Sequence, residues 1–88
     1  MIVKEVIIKN KSGIHARPAS ILVAEANKYK SEIFLEKGKE KVNCKSILGV
    51  MMLAATCGST LKVYIEGDDE KLAVDAIVDI LEKNFEED

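Results

Sequence analysis

The segment at residues 13–19 holds the side chains best suited to chemistry in this 88-residue chain: His15, Arg17 and Pro18 are its only histidine, arginine and proline. Histidine titrates near neutral pH and can act there as a nucleophile. Arginine stays charged and offers a fork of donors that fits phosphate oxygens. Proline is tolerated in the first turn of a helix, where free backbone amides and the helix dipole favour an anion. Residue types and spacing therefore predict a compact site for a negatively charged group on or near His15.

Each of these residues also has a plainer interpretation. A lone histidine is often a solvated loop side chain, and Arg17 could be a solvated cation near Glu25. Pro18 is structural on either interpretation. Charge and spacing alone leave these alternatives open.

Length and composition indicate one small domain, residues 1–88, with a modest core. The 13 basic and 15 acidic residues give a net charge of −2, which argues against a nucleic-acid binder. Cys44 and Cys57 form no metal-ligand pattern, so we expect two reduced thiols. The start of the chain does not resemble a signal peptide, and the longest apolar run is too short to span a bilayer. We therefore expect a cytoplasmic protein without membrane insertion.

Hydrophobic periodicity predicts the element order βαββαβα. The predicted strands lie at about 2–9, 32–37, 39–44 and 61–66, and the first two helices at about 16–28 and 47–53. The last helix should carry an unbroken apolar stripe of Leu72, Ala73, Ala76, Ile77, Ile80 and Leu81. This order predicts an α+β open-faced sandwich, with three helices on one face of a four-stranded antiparallel sheet. Ile7 and Phe34 would then be single exposed apolar residues on the outer face.

Three segments together resemble HPr, the histidine-containing phosphocarrier family of the phosphoenolpyruvate-dependent sugar phosphotransferase system. They are GIHARPA at 13–19, VNCKSILGVM at 42–51 and EGDDE at 66–70. The resemblance covers essentially the full length, and it implies the HPr-like fold. It also implies that His15 accepts a phosphoryl group on Nδ1 from phospho-Enzyme I. The group then passes to a histidine, or sometimes a cysteine, on a sugar-specific EIIA domain.

A phosphoryl group on His15 gives the neighbouring residues definite roles. We expect Arg17 to neutralise phosphate oxygens and the amides of Ala16 and Arg17 to donate hydrogen bonds to them. Pro18 should stiffen the entry to the helix, and Ser12 should cap or orient the preceding loop. The domain would be a carrier and not an enzyme, and we expect it to need no metal or organic cofactor.

Ser46 matches the serine that, in Gram-positive members, is phosphorylated by an HPr kinase/phosphorylase. That mark slows the relay and permits binding to a catabolite-control transcription regulator. Serine before an apolar run is also an ordinary helix N-cap, worth about 1 kcal/mol, and the two roles are compatible.

The short helix after Ser46 is too apolar to bury all of its faces. We expect Val50 and Leu53 to face the core. A docking surface would then be left on Ile47, Leu48 and Met51, flanked by Lys45 and Arg17, which would steer it toward acidic partners.

Two other classes of function were weighed against the phosphocarrier. A purely regulatory member of the same family would typically lose the histidine, which this chain keeps. A generic ligand-binding or RNA-binding module lacks support, because the chain has neither a basic stripe nor an aromatic stacking surface. We expect a monomer, the usual state of a mobile carrier. Ala54 departs from the glycine that many members have beside the histidine loop, and Cys44 replaces a larger apolar residue.

Overall fold

The computed structural model describes residues 1–9, 14, 16–53 and 55–82. Over these residues the chain forms four strands and three helices in the predicted order. The strands are β1 (Ile2–Ile7), β2 (Glu32–Lys37), β3 (Glu40–Asn43) and β4 (Thr60–Glu66). The helices are α1 (Ala16–Ala26), α2 (Ile47–Met52) and α3 (Glu70–Glu82). The predicted fold class, an α+β open-faced sandwich with one antiparallel sheet, is confirmed.

The strand order β1-β4-β2-β3 places β4 between β1 and β2. Side chains alternate across a strand, and in β4 the inward residues Leu61, Val63 and Ile65 are fully buried. They form one core with buried residues of all three helices. The opposite face of the sheet is open, and Ile7 is exposed there as predicted. Phe34, also predicted to be exposed, is instead half-buried.

Helix α1 buries the predicted apolar face, with Ala19, Leu22, Val23 and Ala26 all in the core. It ends at Ala26, two residues before the predicted end, because the backbone tightens there. The amides of Lys28 and Tyr29 donate to the carbonyls three residues earlier, a pattern that closes an α-helix. No helix among the described residues is long and apolar enough to cross a membrane.

The predicted apolar stripe of α3 is wrong at Leu72, which is 69% exposed. The buried positions of this helix are Ala73, Val74, Ile77 and Leu81. At 3.6 residues per turn, Leu72 points about 150° away from the centre of that set. Val74, which the sequence pattern did not single out, occupies the core instead.

The start of α3 is tied to the start of β2 through Asp69. Its carboxylate accepts hydrogen bonds from the backbone amides of Lys30 (2.9 Å) and Ser31 (3.0 Å), and from the Ser31 hydroxyl. These donors, with the Ser31 hydroxyl first, lower the pKa of Asp69 below its ordinary value. Ser31 is 1% exposed, so these hydrogen bonds satisfy a buried hydroxyl in addition to joining the two chain segments.

Gly67 passes so close to this tie that a side chain there should destabilise the fold. A Cβ at Gly67 would lie 2.6 Å from Ser31 Cα, and the residue has a φ of +155°, which side chains rarely adopt. We therefore expect Gly67→Ala to lower the free energy of unfolding by about 1–3 kcal/mol, measured by urea denaturation.

Gly38→Ala is the matched control for that measurement. Gly38 also has a positive φ, +62°, but a Cβ there would meet nothing within 4 Å. It should cost only the conformational strain, about 1 kcal/mol. Equal losses in the two variants would contradict the steric argument at Gly67.

Candidate functional site

The start of α1 is anchored on both sides of His15. Ile14 is buried, and its amide donates to the carbonyl of Ala55 at 2.9 Å. Pro18, in the first turn of α1, is fully buried. His15 itself, like the predicted site residue Ser12, lies outside the described residues.

Helix α1 begins at Ala16, the residue directly after His15, as predicted. Its first turn contains no acidic side chain, so no carboxylate there offsets the positive end of the helix dipole. Arg17 lies in this turn and is exposed. The free amides and the guanidinium suit an anion held at this helix start.

Arg17 and Glu25, both among the described residues, form no ion pair with each other, and Arg17 is exposed to solvent. The Glu25 carboxylate instead forms an ion pair with Lys28 at 3.2 Å and accepts a hydrogen bond from the Tyr29 hydroxyl at 3.0 Å. That hydrogen bond is the main reason why the pKa of Tyr29 is raised. This cluster uses Glu25 near the other end of α1, away from Arg17.

Ser46 is the N-cap of α2. It has an extended conformation, with φ −113° and ψ 118°, and its Oγ accepts a hydrogen bond from the Gly49 amide at 3.1 Å. Its carbonyl accepts the Val50 amide at 3.0 Å, the first bond of the helix. The hydroxyl is exposed, so the residue that stabilises the helix start is also accessible from solvent.

Helix α2 presents an exposed apolar surface, here named the α2 patch. Val50 and Leu53 are buried, as expected, whereas the patch residues Ile47, Leu48, Met51 and Met52 are 45%, 69%, 40% and 71% exposed. Met52 was missed in the sequence. It lies four positions after Leu48, and side chains at that spacing share a helix face, so periodicity alone would have found it.

Lys45 lies next to Ser46 and braces the end of α1. Its Nζ donates to the Tyr29 carbonyl at 2.7 Å, and its backbone amide donates to the Asn43 side chain at 2.8 Å. The side-chain amide of Asn27 completes the brace with a 3.4 Å hydrogen bond to the Lys45 carbonyl. The predicted steering residue thus holds the β3–α2 turn against α1.

The two cysteines are free, as expected. Cys44 is fully buried, and burial raises the pKa of its thiol to about 12. A thiol in that environment is a packing group and not a nucleophile. Cys57 is exposed. Within the described residues no cluster of histidine, cysteine and carboxylate side chains has the arrangement of a metal site. Ala54 lies outside the described residues.

Fold and surfaces together define a small α+β domain with an anion-favouring helix start and a separate exposed apolar helix. The sequence profile of the family described as "PTS HPr component phosphorylation site" matches residues 2–83. The chain therefore belongs to the HPr family of phosphocarrier proteins.

Individual relatives agree with this assignment over nearly the whole chain. The HPr-like protein Crh of Halalkalibacterium halodurans is 49% identical over 83 residues, which cover 94% of this chain and 99% of that protein. The phosphocarrier protein HPr of Treponema pallidum is 46% identical over 88 residues, which cover 100% of both chains.

Solved structures reproduce the fold. HPr-C-His from Thermoanaerobacter tengcongensis has a TM-score of 0.94 at 46% identity and covers 100% of this chain and 99% of its own. An HPr dimer from the same organism has a TM-score of 0.79 at 49% identity, covering 93% of this chain and 94% of its own. Dimers thus occur among the structural relatives.

The N-cap geometry of Ser46 makes a prediction about stability. Ser46→Ala removes the acceptor for the Gly49 amide and should lower the free energy of unfolding by about 1 kcal/mol. Ser46→Asp keeps a capping oxygen and should stay close to the parent chain. Urea denaturation of both variants tests this, and an equal loss in the two would contradict the capping role.

Proposed function

We propose that this chain takes a phosphoryl group on His15 from phospho-Enzyme I and passes it to EIIA domains of sugar transporters. Membership of the HPr family makes the protein a phosphocarrier of the phosphotransferase system. The single observation that carries the finer proposal is the position of His15 directly before the carboxylate-free start of α1, with Arg17 exposed in its first turn.

A carrier must hold the phosphoryl group briefly and then release it. In each step a phosphorus–nitrogen bond to the His15 ring forms or breaks while the matching bond on the donor or acceptor breaks or forms. Arg17 and the amides of Ala16 and Arg17 would neutralise the phosphoryl oxygens. Pro18 would hold the helix start rigid, and Ser12 would orient the loop before it. The protein contributes positioning and charge, which phosphoryl transfer chiefly requires.

The α2 patch is proposed as the docking surface for Enzyme I and EIIA domains. Ile47, Leu48 and Met51 supply exposed apolar area on a helix whose buried side, Val50, fixes it to the core. Methionine adapts to differently shaped partners, which suits a carrier that meets one donor and several acceptors. Arg17 and Lys45 would bias encounters toward acidic partners. We propose one domain, residues 1–88, acting as a monomer in the cytoplasm.

Ser46 is proposed as a regulatory phosphorylation site. Its hydroxyl is exposed beside the α2 patch and caps a helix, so a phosphate there would be electrostatically tolerated by the helix start. The partners for this branch would be an HPr kinase/phosphorylase and a catabolite-control transcription regulator. A purely regulatory role is the second candidate, favoured by the high identity to a Crh protein. The presence of His15 favours the relay.

The relay is tested by incubating the purified chain with phosphoenolpyruvate and Enzyme I. We expect stoichiometric phosphorylation, located on His15 by mass spectrometry, and none in His15→Ala. Arg17→Gln should slow transfer about 10- to 100-fold, since a charged hydrogen bond is worth about 1.5–3 kcal/mol. Arg17→Lys, which keeps the charge but not the fork, should lie between. A His15→Ala chain that still accepts the phosphoryl group would overturn the proposal.

The regulatory part is tested separately with Ser46→Asp. Because the aspartate keeps the helix cap, the variant should fold normally but transfer more slowly from Enzyme I, through negative charge beside the α2 patch. The rate of phosphoryl transfer at low and high salt is the measurement, with Ser46→Asn as the uncharged capping control. Equal rates in the two variants at low salt would refute charge as the cause.

A further inference from the structure

The open face of the sheet is organised in rows that the strand register makes explicit. One row runs Glu5, Lys62, Glu36, Lys41 across the four strands, so its charges alternate in sign. Opposite charges placed side by side across strands are stabilising. Among the described residues no two side chains of this row lie within ion-pair distance, so its favourable feature is the alternation of sign alone.

The next row is apolar. Val3, Tyr64 and Phe34 lie side by side across β1, β4 and β2, and Val3 is 49% exposed. Two side chains of the charged row, Glu36 and Lys41, contact the two rings. The Tyr64 hydroxyl donates to Glu36 at 2.6 Å, and Lys41 Nζ lies 4.1 Å from the Tyr64 ring centre and 5.5 Å from that of Phe34. These contacts within the chain hold both rings in a fixed position on the sheet surface.

The third row breaks the pattern of the first. Glu32 and Glu66 are direct register partners on β2 and β4, and both are exposed. Like charges directly opposite each other across strands are destabilising. Within the described residues neither carboxylate has a lysine, arginine or terminal amine within ion-pair distance, and the amino group of Met1 pairs with Glu70 instead, at 3.5 Å. A local cost of this kind beside a preorganised apolar row is typical of a binding surface.

The apolar row and the row of Glu32 and Glu66 open into one shallow cavity of about 90 Å³. Its lining is Phe34, Tyr64, Glu32 and Glu66 together with Met1, Lys41 and Ile65. We propose that the first four of these residues, here named the acidic–aromatic strip, form a second docking surface for a protein segment that carries an arginine beside an aliphatic side chain. Arginine fits the carboxylate pair, because its planar guanidinium can bridge Glu32 and Glu66. Lys41 already lies over the Tyr64 ring, so the guanidinium is not required to stack there. The aliphatic neighbour would cover the apolar row.

The strip lies on the face of the sheet opposite the helices, whereas the α2 patch belongs to the helical layer. A partner on the strip would therefore leave the α2 patch free. The surface offers a contact that is independent of phosphoryl transfer, and it goes beyond the function proposed above.

The test uses the full ¹⁵N-labelled chain and the peptide acetyl-Leu-Arg-Leu-amide, with the citrulline analogue as its uncharged match. We expect amide chemical-shift changes centred on the strip, weaker at high salt and absent with citrulline. Glu32→Gln/Glu66→Gln should weaken binding about fivefold or more. Glu5→Gln/Glu40→Gln makes the same change in net charge elsewhere and should leave binding within about twofold of the parent chain.

Two results would overturn the proposal. Shifts scattered over the surface, or equal weakening in the two double variants, would indicate only general attraction to an acidic protein. Thermal unfolding gives the second check, because Glu32→Gln/Glu66→Gln removes a like-charge pair and should unfold at the same or a higher temperature. A clear loss of stability would mean that the two carboxylates already have a structural role. Phosphoryl transfer to His15 should be unchanged in this variant.

Discussion

The alternation of side chains along β4 is the constraint on which the other features depend. Leu61, Val63 and Ile65 all point inward and are fully buried, so the sheet has one face that must be covered. A one-residue slip would turn that set outward, which fixes the register strongly. With the register fixed, the helices have one place to pack, and the outward residues of the four strands are brought into defined rows.

Functional and anchoring residues alternate along the chain at both proposed relay surfaces. Ile14 and Pro18 are buried on either side of His15 and Arg17, and Val50 is buried within the exposed α2 patch. A small domain has little core to spare, so Arg17 and the α2 patch each lie within one turn of a buried residue. The buried residues hold Arg17 and the α2 patch in a fixed position without enclosing them. Docking to two different proteins in succession, as proposed above, would need surfaces that combine order with access.

Periodicity and motifs were sufficient for the element order, the buried faces of β4 and α1, and the cap at Ser46. They failed where short-range patterns are ambiguous. Leu72 fits an apolar stripe as well as Val74 does until the rotation of α3 against the sheet is known. The hydrogen bond from Lys45 Nζ to the Tyr29 carbonyl joins residues sixteen positions apart, and no local sequence pattern predicts it. The pairing of Glu32 with Glu66 depends on strand register, which the sequence did not specify for β2 and β4. His15 was predicted as the phosphoryl acceptor from its neighbours along the chain, since a site built from consecutive residues is visible in sequence in a way that cross-strand sites are not.

The brace at Lys45 also bears on how a charge at Ser46 would act. The ammonium group of Lys45 donates to a backbone carbonyl at the end of α1, and α1 has no basic residue of its own in its last turn. The positive charge of Lys45 is stabilised by the negative end of the α1 dipole, so moving the ammonium group away from that position would lower the stability of the fold. Lys45 is therefore poorly placed to neutralise a phosphate on its neighbour. The added charge would stay exposed beside Ile47 and Leu48 and would act on an approaching protein, with no rearrangement of the fold required. If Ser46 is phosphorylated as proposed, the exposed cap at Ser46 and the hydrogen bond that holds Lys45 would make electrostatics the direct route from the modification to partner choice.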